Sequence, residues 1–166
     1  MLFKQKQRNM LLVLSMVVLL LFVFETQTVR SGELRLNKVA ITSLKDGDTI
    51  GCTLTVKGTI NRATANNDGV WVFVHRKVLK NQWWPEPQAN DVGNNWEALA
   101  TVGIKEDIGA DFEIAVATFD KNSEKIISDY FKEANKTGRF PPMEFPSTTS
   151  NVDIVTVKKI SHDGCN

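Results

Sequence analysis

Two hydrophobic patterns divide the chain. From Met10 to Phe24 every residue except Ser15 is apolar. Such a stripe has no polar face to turn to water, so it does not read as a surface helix of a globular fold. Beyond Asn37 the apolar positions recur with period two, the mark of half-buried strands. Val39 and Ile41, with Leu44, open a first predicted strand. Over Ile50 to Ile60, residues Ile50, Cys52, Leu54 and Val56 share one side. Gly51, Thr53, Thr55 and Lys57 share the other, giving a strand with one wet face. From Val70 to His75 both sides are apolar, with Val70, Val72 and Val74 opposite Trp71, Phe73 and His75. That pattern predicts a central, buried strand. Trp96–Val102 and Asp111–Phe119 alternate, the second through Phe112, Ile114 and Val116. The last predicted strand runs Val152–Ile160, with Val152, Ile154, Val157 and Ile160 as its apolar positions and Val155 opposite.

The period changes once within this region. Ile126, Ile127, Tyr130, Phe131 and Ala134 have helical spacing between Asp120 and Gly138. Asp120 or Ser123 can cap the start, and Gly138 can stop the helix. Phe140 to Pro146 holds three prolines and reads as irregular, as does the Trp-, Pro- and Asn-rich segment from Asn81 to Asn95. Six or seven short strands with one short helix before the last predict a mainly β, antiparallel sandwich of about seven strands. A small barrel is the alternative.

The N-terminal run acquires an orientation from its flank. Lys4, Lys6 and Arg8 precede it, and positive charge holds the near end in the cytoplasm while the downstream chain crosses. The expected organisation is a cytoplasmic basic segment over 1–9, a transmembrane signal-anchor helix over 10–24, a stalk over 25–35 and the sandwich over 36–166. Bulky residues end the run where cleavage wants small ones, which favours an uncleaved anchor. The run is short for a span, so secretion after signal cleavage stands as the alternative.

Charge and composition narrow the function classes. Twenty basic and 19 acidic side chains leave a formal net charge of +1 in 166 residues, without the basic excess of a nucleic-acid platform. No nucleic-acid partner is expected. Only two histidines occur, His75 and His162, and no metal-ligand spacing surrounds them. No nucleophile elbow or phosphate loop is present. No catalytic residue, metal or cofactor is therefore assigned. Cys52 and Cys165 are read either as one disulfide, suited to an oxidising compartment, or as free thiols. The aromatic residues are the most suggestive group. Trp83, Trp84 and Trp96 lie in or beside the irregular segment, with Pro85 and Pro87 stiffening it. Flat rings on a rigid loop suit a sugar or a partner's apolar anchor, and packing at the sandwich edge is the competing role.

The order of landmarks also carries a resemblance. Ile41 and Asp46-Gly47 are followed by Val56-x-Gly58, then Val70-Trp71-Val72-Phe73-Val74, then Trp83-Trp84-Pro85 with Gln88 three residues on. Asn95-Trp96, Val102-Gly103, Ile108-Gly109-x-x-Phe112-Glu113-Ile114 and a helix before a Pro-rich bend complete it. From Leu36 to Ile160 this resembles the immunoglobulin-like sandwich domains found as accessory modules of bacterial surface and membrane proteins. The resemblance implies no catalytic residues and no specific ligand. It differs in one respect: such modules often accompany a larger catalytic or signalling domain, which this chain lacks. The expected function is a membrane-anchored extracytoplasmic binding or scaffold module, not an enzyme, that contacts another envelope protein. The alternative is a carbohydrate-binding module that meets a glycan through Trp83 and Trp84.

Overall fold

A computed structural model describes residues 38–62 and 68–165. The predicted anchor and stalk lie outside the described residues. Among the described residues no helix is long and apolar enough to cross a membrane.

The described residues are mainly β, in two sheets with one helix. One sheet contains β1 (Lys38–Ile41), β3 (Thr53–Asn61), β7 (Asn95–Thr101) and β6 (Asn90–Val92), in the order β1-β3-β7-β6. The other contains β2 (Thr49–Ile50), β9 (Asp153–Lys159), β8 (Asp111–Phe119), β4 (Gly69–Arg76) and β5 (Trp83–Pro85), in the order β2-β9-β8-β4-β5. Every pairing is antiparallel except β2 with β9, which is parallel. The alternating apolar residues of the two sheets meet in a common core. Val56, Ile60, Trp96 and Ala98 contribute from one side, and Val70, Val72, Val74, Ile114, Val116 and Val157 from the other. Trp96 is accommodated by its cross-strand partner Gly58. A Cβ at Gly58 would run into both the indole and the Ala40 carbonyl, so glycine is required there for space.

The other face of β4 builds a second apolar layer. Trp71 and Phe73 lie opposite Ala117 and Ala115 of β8, and this large-against-small pairing leaves room for an overlying helix. That helix, α1 (Lys121–Thr137), seats Ile127 on the cluster, with Phe131 and the later Phe145 packed beside it. Asp120 caps its start by accepting from the Ser123 N–H at 2.8 Å. Gly138 closes it in the left-handed region, at φ 68°, with its N–H on the Ala134 carbonyl.

The structure differs from the sequence pattern at three places. The continuous strand expected over Ile50–Ile60 is broken at Gly51–Cys52. Ile50 pairs in one sheet and Thr53 in the other, and the Cys52 N–H is diverted to the Asp163 carbonyl at 2.6 Å. The segment expected to be irregular holds the short strands β5 and β6. Pro85 fits in β5 because that strand is a sheet edge, where a missing donor leaves no ladder bond unmade. In β9 the inward positions are Val155, Val157 and Lys159, while Val152, Ile154 and Ile160 are exposed. Lys159 is 0% exposed, and its Nζ donates to the carbonyls of Val102 and Ile104 at 2.9 and 2.5 Å. A lysine thus occupies a core position by capping backbone acceptors. Desolvation holds its ammonium below the usual lysine range, against the opposing pull of Asp107 and Glu106.

Cys52 and Cys165 are joined by a disulfide, with Cα atoms 4.9 Å apart across 113 residues of sequence. The C-terminal tail is further held by the Thr53 hydroxyl, which donates to the Gly164 carbonyl at 2.7 Å.

Candidate functional site

The Trp-Pro segment begins at the edge of the five-stranded sheet. Successive strand residues face opposite sides, so Trp83 and Trp84 part company. Trp83 pairs across from His75, stacks on its ring at 4.7 Å and meets the Phe145 ring edge-on at 5.0 Å. Its backbone exchanges two hydrogen bonds with Met143, of 2.9 and 2.8 Å. Trp83 therefore clamps the Pro-rich segment to the sheet. Trp84 pairs with Val74 and donates its indole Nε1–H to the Phe140 carbonyl at 3.0 Å. The two indoles do not share one platform.

After β5 the chain still follows β4, with the Glu86 N–H on the Val72 carbonyl at 2.9 Å and the Ala89 N–H on the Val70 carbonyl at 3.0 Å. Pro85 and Pro87 fix φ on both sides of Glu86. This strap borders a cleft of about 760 Å³. Val74 and Phe112, both buried, lie at its base. Trp84, Tyr130, Phe131 and Phe140 give it aromatic sides, and Arg76 and Asp107 line it as well. The helix thus supplies two rings, β5 one and the segment after the helix the fourth.

Glu86 is the unusual group in this cleft. It is 7% exposed, and burial pushes its carboxyl up to about 8, opposed by the Thr101 backbone N–H that it accepts. An isolated carboxylate in apolar surroundings loses its hydration, so the neutral acid is favoured. Tyr130 is shifted upward too, first by burial and then by the negative charge of Glu86. The other two charged lining residues are paired: Arg76 Nη1 lies 3.2 Å from Asp107 Oδ1. The buried Arg76 Nε has no hydrogen-bond partner among the described residues. A second depression of about 590 Å³, beside Tyr130, Thr137 and Arg139, adjoins the C-terminal part of the helix.

No family model matches the chain, and no curated protein matches it. Among solved structures, an endo-β-1,4-mannanase from Thermotoga petrophila aligns with a TM-score of 0.45 at 10% sequence identity. The alignment covers 80% of this chain, which spans only 21% of that protein's length. A likeness of this degree carries no argument about activity or ligand.

Of the residues singled out by sequence, Trp84 lines the cleft and Trp83 packs behind it. Trp96 is 2% exposed, in the core between the sheets, with its Nε1–H on the Thr59 carbonyl at 3.0 Å. Offered by the sequence as a ligand- or partner-binding residue, it is a core residue in the structure. Its position opposite Gly58 on the inward side of β7 is the physical reason. Among the described residues no cluster of three or more His, Cys, Asp or Glu side chains is arranged to hold a metal ion. Sequence reasoning passed over Glu86 and Tyr130. The signal for Glu86 was present in Trp83-Trp84-Pro85-Glu86-Pro87, where one acid stands alone among rings and prolines.

Proposed function

We propose that this chain is a non-enzymatic binding module of the immunoglobulin-like kind, anchored at a membrane, that seats part of another envelope protein in the cleft beside Trp84. The carrying observation is the cleft of about 760 Å³, with four aromatic residues on its sides and a proline-stiffened strap along one border. Sites of this size that are mostly apolar, with a few placed polar groups, are the usual form of a binding pocket. Aromatic rings also carry a large share of binding energy at protein interfaces.

The strand orders support the immunoglobulin-like reading. The order β1-β3-β7-β6 follows the A-B-E-D sheet of such domains, and β9-β8-β4 follows their G-F-C sheet. The disulfide supports an oxidising, extracytoplasmic setting. Lys4, Lys6 and Arg8 before the apolar run support a cytoplasmic N-terminus.

The test is a titration of the full chain in detergent micelles, followed by tryptophan fluorescence. Peptides and cell-wall polysaccharide fragments are the two ligand series. Saturable binding of peptides, lost in Trp84→Ala, is expected. Saturable binding of oligosaccharides alone would replace the protein partner with a glycan. Peptide binding unaffected by Trp84→Ala would remove the cleft from the account.

A further inference from the structure

Charge is unevenly distributed around the cleft. Three formally charged side chains line it: Arg76 from β4, Glu86 from the strap and Asp107 from the short 3-10 turn Lys105–Asp107. Arg76 pairs with Asp107 at 3.2 Å, and the buried Lys159 of β9, capping the Val102 and Ile104 carbonyls, also faces Asp107; neither cation is among the groups that act on Glu86. Tyr130 of the helix is the remaining ionisable neighbour and is neutral below its raised range. Among the described residues Glu86 therefore has no ion-pair partner, although it is more than nine-tenths buried. Its carboxyl accepts from the Thr101 backbone N–H. A carboxylate has room for about four hydrogen bonds, so an incoming donor can join the Thr101 N–H on it.

We propose that the cleft receives a lysine side chain from the partner protein, its ammonium paired with Glu86 and its stem laid against Trp84, Phe131 and Phe140. The inference rests on the cleft being the binding site. Three features favour this occupant. The uncompensated group is an acid, so the complementary guest is a cation. The aromatic rings that line the cleft attract cations through their faces. A lysine also joins a compact charge to a long aliphatic stem, matching an apolar cleft with one buried acid. Arginine fits less well, because its fork seeks both carboxylate oxygens and the Thr101 N–H already claims part of that capacity.

Binding is then coupled to a proton. A carboxyl held near 8 is mostly neutral at pH 6.5 and mostly ionised at pH 8.5. Only the ionised form pairs with ammonium, so apparent affinity rises by about 20-fold between those pH values, following the competent fraction. The incoming ammonium stays charged throughout, since free lysine titrates near 10.4. Nothing covalent changes: where Glu86 is still protonated, its proton passes to solvent as the ammonium enters.

The experiment uses the full chain in detergent micelles and two probes, Nα-acetyl-lysine methylamide and its neutral isostere Nα-acetyl-norleucine methylamide. Both are titrated at pH 6.5 and 8.5 against the parent protein, Glu86→Gln and Trp84→Ala. The lysine probe is expected to bind at least 10-fold tighter than norleucine at pH 8.5, to weaken at pH 6.5 and to lose its advantage in Glu86→Gln. Equal binding of both probes, abolished by Trp84→Ala, would overturn the lysine and keep the cleft. Lysine preference retained in Glu86→Gln, or affinity independent of pH in the parent protein, would overturn Glu86 as its partner. No saturation by the lysine probe would also overturn the proposal, while the peptide series with Trp84→Ala decides the cleft separately. The pH profile of the parent protein needs no variant to fold.

Discussion

The core between the sheets and the cleft at their edge draw on the same strand. Val70 and Val72 of β4 point into the core, and Val74, two residues further, lies at the base of the cleft. In the core the neighbours are aliphatic residues, Phe112 and Trp96, and the polar atoms are satisfied, the Trp96 Nε1–H by the Thr59 carbonyl and the Lys159 ammonium by those of Val102 and Ile104. In the cleft the neighbours include a buried acid with one backbone donor. The comparison separates two uses of apolar surface. In the core, burial and close packing stabilise the fold. In the cleft, the same kind of surface keeps water from Glu86 and leaves an ionisable group in unfavourable surroundings. Proteins tolerate such groups where they serve a site.

The sharpest way to break this contrast is to empty the core. Trp96→Ala is expected to lower stability by about 4 kcal/mol, since the cavity above Gly58 cannot collapse without moving backbone. Denaturant unfolding measures it, and a loss below 1 kcal/mol would place the indole outside the structural core. Removing the covalent clamp should come next. Cys52→Ser with Cys165→Ser is expected to destabilise by roughly 3 kcal/mol, with the cleft's ligand preference retained once the protein is folded. Unfolding and probe binding, measured on one preparation, test both halves of that statement.

Glu86→Gln addresses the cleft itself, and its sign depends on pH. The carboxyl is raised from 4.5 to about 8 on folding. Between those values the folded chain keeps a proton that the unfolded chain has released. The contribution of Glu86 is therefore fully present below 4.5 and is lost as pH rises toward 8, by an amount on the order of a few kcal/mol. The parent protein should lose stability from pH 5 to 8, and Glu86→Gln should remove that slope because its amide has no charge to bury. Thermal unfolding at several pH values reads the difference; parallel curves would show that Glu86 does not titrate abnormally. The smallest structural effect is expected for Trp84→Ala, about 1 kcal/mol, because its indole is only half-buried and lies at the sheet edge. Its binding loss should exceed 10-fold. A variant that lost stability as Trp96→Ala does would erase the distinction between core and cleft.

Much of the fold was legible because alternation is a local signal. The two apolar faces of Val70–His75 predicted a strand buried on both sides, and both faces are covered, one by the opposite sheet and one by the helix. The helix and its two ends were equally legible from spacing, an aspartate and a glycine. The switch of sheets at Gly51–Cys52 was not legible. It depends on the Asp163 carbonyl, more than a hundred residues away in sequence. Lys159 was missed for the same reason, because the carbonyls it caps belong to the turn after β7. The cleft was half visible. Trp84 stands out in any reading, but Glu86 looks like an ordinary surface acid until the helix, the end of β7 and Phe140 are assembled around it.

The buried state of Glu86, without an ion-pair partner among the described residues, is the central claim, and carbon-13 NMR of its side-chain carboxyl tests it most directly. Selective glutamate labelling, with Glu86→Gln to assign the resonance, gives its titration curve in the folded protein. A midpoint near 8 is expected, moving downward when a lysine probe occupies the cleft. A midpoint near 4.5, unaffected by any probe, would mean that water reaches the carboxyl freely and that the cleft is not the dry, acid-bearing site described above.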